Sequence, residues 1–199
     1  MVRIPPDPAL PPERRNWQAT WPWQDYLELA AVDEAVPSAR YHTRLVMREW
    51  GVKSLLHNTE LAQDVEQVTA ELVANAVSAT QAVQWTPKQP PVRLWLLGNG
   101  NLAMVVVGDA TTATPIPRHP NSDDESGRGL LLVDGLAHWG YYLAPEGYGG
   151  KIVHALLPKV EANNLTRERH GHGLQPHSPG ASEAGRRRHS FRVRLPRRH

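Results

Sequence analysis

Two apolar runs joined by four turn-forming residues constrain this chain more than any other feature. Residues 91–97 and 102–109 are each long and apolar enough to be buried strands, and Gly98-Asn99-Gly100-Asn101 lies between them. Glycine and asparagine tolerate positive φ, so the linker signals a hairpin and the two runs should pair antiparallel. Just upstream, Leu61, Val65, Val68, Leu72 and Ala76 recur at spacings of three and four, the mark of a helix with one buried face. A long helix feeding a two-stranded hairpin calls for a sheet with helices laid on it.

The remaining segments extend that layout. Residues 26–32 read as a first strand. Pro37 or Ser38 then opens a helix that runs to about Trp50, with Gly51 as its stop. Asn58 or Thr59 caps the second helix, which extends to about Ala79. Residues 110–126 hold several prolines and few apolar side chains, which predicts a long loop of the lid or binding type. A helix over 129–137 and strands near 141–143 and 151–157 complete the domain. The fold class expected is an α/β two-layer sandwich, a mixed but mostly antiparallel sheet with helices on one face. Its limits are 25–158, between a Pro/Trp-rich extension (1–24) and a tail (159–199) that lacks a hydrophobic pattern and should be disordered. Trp17, Trp21 and Trp23 are costly to leave in water and should pack onto the domain or onto a second copy of it.

One polar pair interrupts the second helix. Glu71 and Asn75 stand four residues apart and so share a face. At 100° per residue Asn75 falls inside the apolar stripe and Glu71 at its edge. Leaving either buried and unpaired costs roughly 1–3 kcal/mol, so each should meet a partner: backbone, water or a ligand. Asp109 ends a buried strand, where a carboxylate must accept hydrogen bonds, from a turn or from a ligand donor. Gly127-Arg128-Gly129 opens the third helix, whose free N–H groups suit an anion.

Composition sets the compartment and removes some functions. The chain has no cysteine, hence no disulfide framework and no thiolate metal site, and a cytoplasmic location is expected. No apolar run approaches the roughly 18 residues that span a membrane. The net charge of +2 hides an asymmetry: residues 161–199 hold nine arginines and three glutamates, leaving 13 basic and 17 acidic residues in 1–160. An acidic core gives no support to direct nucleic-acid binding. The tail histidines (His170, His172, His177, His189, His199) lack the spacing of a metal site.

A helix-borne Glu71/Asn75 pair, a strand-terminal Asp109 and a Gly127-x-Gly129 helix entry, in that order, resemble the N, G1 and G2 boxes of the GHKL ATPases. The phrases at 36–40, 71–77 and 126–133 are most similar to the bacterial single-domain members, the anti-sigma-factor serine kinases and their relatives. The resemblance covers residues 25–158 and implies ATP and Mg²⁺ as cofactors. It implies that Asp109 reads the adenine amine and that Asn75 is the magnesium ligand. Gly127, Arg128, Gly129 and Leu130 would hold phosphate, and Glu71 would be the catalytic base or orient the nucleophile. The implied partner is a sigma-factor or anti-anti-sigma-type protein, and a homodimer is also implied. The family's G1 box continues Asp-x-Gly-x-Gly, whereas this chain has Asp109-Ala110-Thr111-Thr112-Ala113, which implies a different loop path and weaker nucleotide binding. Two functions follow: transfer of the ATP γ-phosphate to a serine of an antagonist protein, or a non-catalytic, nucleotide-dependent module that binds a partner in transcriptional regulation. The 24 residues ahead of the first strand are too few for the phosphoacceptor hairpin of a histidine kinase.

Overall fold

The computed structural model describes residues 3–5, 21–53, 59–99, 102–116, 129–145 and 149–158. Contacts divide the chain after Val160, and all of these residues belong to the first unit. The tail and its histidines lie outside the described residues, as do Trp17 and the loop residues 117–128.

The elements are β1 (Trp23–Leu29), α1 (Ala35–Lys53), α2 (Thr59–Gln81), β2 (Val92–Gly98), β3 (Leu102–Asp109), α3 (Gly129–Leu136), β4 (His138–Leu143) and β5 (Lys151–Pro158). They form one five-stranded sheet in the order β1-β2-β3-β5-β4. Every neighbouring pair is antiparallel, which corrects the expectation of a mixed sheet. The crossover through α3 does send β4 in the same direction as β3. β5 then returns between them, so no two parallel strands touch.

Tertiary packing moves several boundaries. The first strand begins at Trp23, three residues early, because the Trp23 ring packs on Trp50 of α1 with centroids 6.2 Å apart. It stops at Leu29, after which Ala30 and Val32 carbonyls accept turn hydrogen bonds that lead into α1. That helix starts at Ala35, and Pro37 sits in its first turn, where a missing N–H costs nothing. Gly51 does not end it: the buried Trp50 anchors the last turn, and a glycine costs only about 1 kcal/mol there. Gly98 has a different use from the one its hairpin position implies. Its φ is not positive; a Cβ there would lie 2.8 Å from the Trp50 ring. Asn99 keeps its turn role, with its side-chain oxygen accepting from the Leu102 N–H at 2.9 Å.

Both faces of the sheet are covered. Against the helices, Leu94, Leu96, Val105, Val107, Val153, Ala155 and Leu157 pack on Val65, Val68, Leu72, Val73 and Ala76 of α2 and on Leu130 and Val133 of α3. The opposite face is also apolar: Trp95, Leu97, Val106, Tyr142 and Ile152 form a second cluster with Ile4 and Trp21 from the N-terminal segment. The Tyr142 hydroxyl donates to the Pro5 carbonyl at 2.6 Å. Trp21 thus packs onto its own domain, one of the two placements expected for these tryptophans.

Candidate functional site

The helix-borne pair occupies the flank of α2. Glu71 is half-buried and Asn75 is exposed, which corrects the placement of Asn75 within the buried stripe. The stripe is wide and turns away from it: Leu72, Val73, Ala76, Val77 and Thr80 are buried, so the core face runs toward the other side of the helix. Water alone can satisfy the Asn75 amide. Glu71 faces the start of α3, where a Cβ on Gly129 would collide with Glu71 Oε2. The bare Gly129 thus leaves room for the Glu71 carboxylate, which a larger side chain there would push aside. A carboxylate beside a helix N-terminus is favourably placed toward the free N–H groups of the first turn. Leu130 buries its side chain in the helix-facing core, so only its backbone N–H belongs to that end. Gly127 and Arg128 lie outside the described residues.

Asp109, at the end of β3, is 5% exposed and is met by donors of its own chain. Its Oδ1 accepts from the Thr111 N–H at 2.8 Å and from the Thr111 hydroxyl at 2.6 Å. Lys151, its register partner on β5, donates from Nζ to Oδ1 at 2.9 Å and lies 2.8 Å from Oδ2. The same ammonium donates to Thr111 Oγ1 at 2.7 Å. Lys151 is itself 4% exposed. The local backbone makes this contact: Gly149 and Gly150 have φ of 66° and 79°, and a Cβ on Gly150 would overlap the Asp109 carbonyl oxygen. Two glycines thus bring β5 down onto the exit of β3 and set Lys151 over the carboxylate.

The donor set can be weighed against ATP and Mg²⁺. A carboxylate has about four acceptor positions, and this one is met by three donor groups from its own chain. The position left on Oδ2 is closed to water in this arrangement, so a purine amine would meet Asp109 only if the surroundings of a buried ion pair opened, at a cost of several kcal/mol. The residues present do not fit adenine in this arrangement. Asn75 offers one exposed amide oxygen, and among the described residues no three His, Asp or Glu side chains gather as a metal-binding group.

Sequence reasoning singled out Asp109 and its need for hydrogen bonds, and read Gly149-Gly150-Lys151 as a glycine-led strand start or a tight turn, but missed the pairing of Lys151 with Asp109. The signal was present: a lysine opening a strand that is apolar apart from His154, Lys151–Pro158, behind two glycines. What it lacked was register, which alone shows that Lys151 and Asp109 are opposite each other.

No family model matches the sequence, and no curated protein matches it. Among solved structures the chain is similar to one described as the SiaB-SiaC complex from Pseudomonas aeruginosa, with a TM-score of 0.42 and 10% sequence identity, covering 76% of this chain and 99% of that chain. Among the described residues no helix is long and apolar enough to cross a membrane.

Proposed function

We propose that this chain is a regulatory binding protein, resembling the anti-sigma-factor kinases in its motifs, that engages a protein partner without requiring bound nucleotide. The supporting observation is the Asp109 carboxylate, already paired with Lys151 and Thr111 out of water. The partner class remains the one the motifs imply, a sigma-factor or anti-anti-sigma-type protein. Thermal unfolding with millimolar Mg-ATP or Mg-GTP tests the reading. A ligand at about 100 times its Kd adds roughly 2.7 kcal/mol, so real occupancy would be plain. The expected result is no shift with either nucleotide. Stabilisation by ATP but not GTP, lost in Asp109→Asn, would overturn the reading.

A second reading, the serine kinase, draws support from Glu71 of α2, which faces the start of α3. A base must stand within reach of the proton that it takes, and the mouth of a helix that holds phosphate is such a place. This reading expects γ-labelled ATP to label a serine of the partner, with labelling lost and nucleotide binding kept in Glu71→Ala. Labelling that survives Glu71→Ala would remove Glu71 as the base.

A further inference from the structure

The two edges of the sheet differ in how they are protected. β1 carries Asp25 and Glu28, and charge on an edge strand discourages a further strand from pairing there. β4, at the other end, reads His138-Trp139-Gly140-Tyr141-Tyr142-Leu143, with no Asp, Glu, Lys, Arg or Pro. It pairs with β5 in unbroken register, so no bulge turns it aside, and among the described residues no second strand pairs with it. Tyr141 and Leu143 nevertheless stand 42% and 49% exposed.

The ladder fixes which backbone groups of β4 face outward. The Ala144 N–H donates to the Gly150 carbonyl at 3.0 Å, one step beyond the Leu143–Lys151 pair. Hydrogen-bonded and non-hydrogen-bonded pairs alternate along an antiparallel ladder. His138, Gly140 and Tyr142 therefore bond toward β5, and the backbone N–H and C=O groups of Trp139, Tyr141 and Leu143 point to the open edge.

We propose that the β4 edge is a homodimer interface, on which β4 of a second copy pairs antiparallel about a two-fold axis at Tyr141. With the axis perpendicular to the sheet, both helix layers stay on one side and the contact is closed and symmetric. Tyr141 then meets Tyr141, Trp139 meets Leu143, and Gly140 meets Tyr142. Trp139, Tyr141 and Leu143 each donate one backbone hydrogen bond and accept one, which is the set of groups that the ladder leaves outward. Trp139 against Leu143 is an aromatic–aliphatic cross-strand pair on the helix-side face. On the other face Tyr142, whose hydroxyl is held by the Pro5 carbonyl, stands opposite a bare glycine that leaves its ring room. Centring the axis one residue earlier would set Gly140 on Gly140 and leave Leu143 unpaired. The strand is thus complementary to itself, and no carboxylate, lysine or arginine of β4 faces its like across the axis. The association needs neither nucleotide nor Asp109.

Sedimentation of the full chain, from the low micromolar to the hundreds of micromolar, tests the pairing. The mean mass is expected to rise toward twice that of the monomer. Tyr141→Pro removes an N–H that faces away from β5, so the monomer keeps its own ladder while association is lost. Because the chain has no cysteine, single cysteines report the register. Tyr141→Cys is expected to form a disulfide-linked dimer under mild oxidation, since the Cα atoms of a hydrogen-bonded pair lie about 5.5 Å apart. Leu143→Cys should not, because each copy of it stands opposite Trp139 and the two sulfur-bearing residues are roughly 13 Å apart along the strands. A wild type that stays monomeric throughout overturns the proposal. So does a Tyr141→Pro variant that dimerises like wild type, or a Leu143→Cys that cross-links as readily as Tyr141→Cys. Should Tyr141→Pro fail to fold, the wild-type mass and the two cysteine variants still decide.

Discussion

Gly150 and Lys151 are neighbours with one job between them. Gly150 sits at φ 79°, and its bare Cα lies where a Cβ would be 2.6 Å from the Ala110 Cα. Gly150→Ala is therefore expected to cost about 2 kcal/mol or more, read as a lower urea midpoint at unchanged slope. The buried pair has its own signature. Lys151→Met removes the cation and leaves Asp109 charged and buried, at an expected cost of about 3–5 kcal/mol. Adding Asp109→Asn to that variant should return part of the loss, since the stranded charge is gone; a double variant as unstable as the sum of the singles would show that the two residues do not interact.

At the scale of elements, α1 and α2 are tied across their exposed sides by Glu66. Arg44 reaches it with two nitrogens, at 2.6 and 3.1 Å, and Arg40 with one at 3.2 Å. The Arg44 hydrogen bonds, opposed in part by burial and aided by Arg40, hold the Glu66 carboxyl below the usual glutamate range. Its folded value is thus depressed relative to the unfolded chain. The stabilisation is complete above the unfolded value and is lost as pH falls through the folded one. Glu66→Gln should flatten the acid limb of the stability-pH curve below the ordinary carboxylate range and leave the neutral-to-basic limb parallel to wild type. The elements themselves were legible wherever periodicity was strong: α2 and β3 lie where their spacing puts them, because Leu61, Val65, Val68, Leu72 and Ala76, and Val105 to Val107, are buried as their patterns require. Misjudged ends belong to places where tertiary packing decides, as Trp50 does for the start of β1 at Trp23 and for the last turn of α1. Asn75 was misplaced because the buried stripe turns away from it toward Val73, Val77 and Thr80, and the pairing of Lys151 with Asp109 was invisible until strand register set them opposite each other.

For the whole molecule, the covered outer face is the unusual property. An antiparallel sheet can leave one face to water, yet this one presents Trp95, Val106 and Ile152 there and closes over them with Ile4 and Trp21. Ile4→Ala is expected to cost about 2 kcal/mol and Tyr142→Phe about 1 kcal/mol, both measurable by urea unfolding. A null effect of both would mean that the N-terminal segment adds no stability where it lies. The strand order has a consequence in time. β5 is the last of the described strands to be synthesised, yet it lies inside the sheet, between β3 and β4. A nascent chain holding everything up to β4 therefore has two strand edges open toward each other and nothing to join them. Such non-local pairing is slow and exposes unpaired edges while it waits. The insertion that seals the gap also delivers Lys151 to Asp109. Completion of the sheet and neutralisation of its buried carboxylate are thus a single event, and a ribosome paused before residue 151 would carry an acid still awaiting its base.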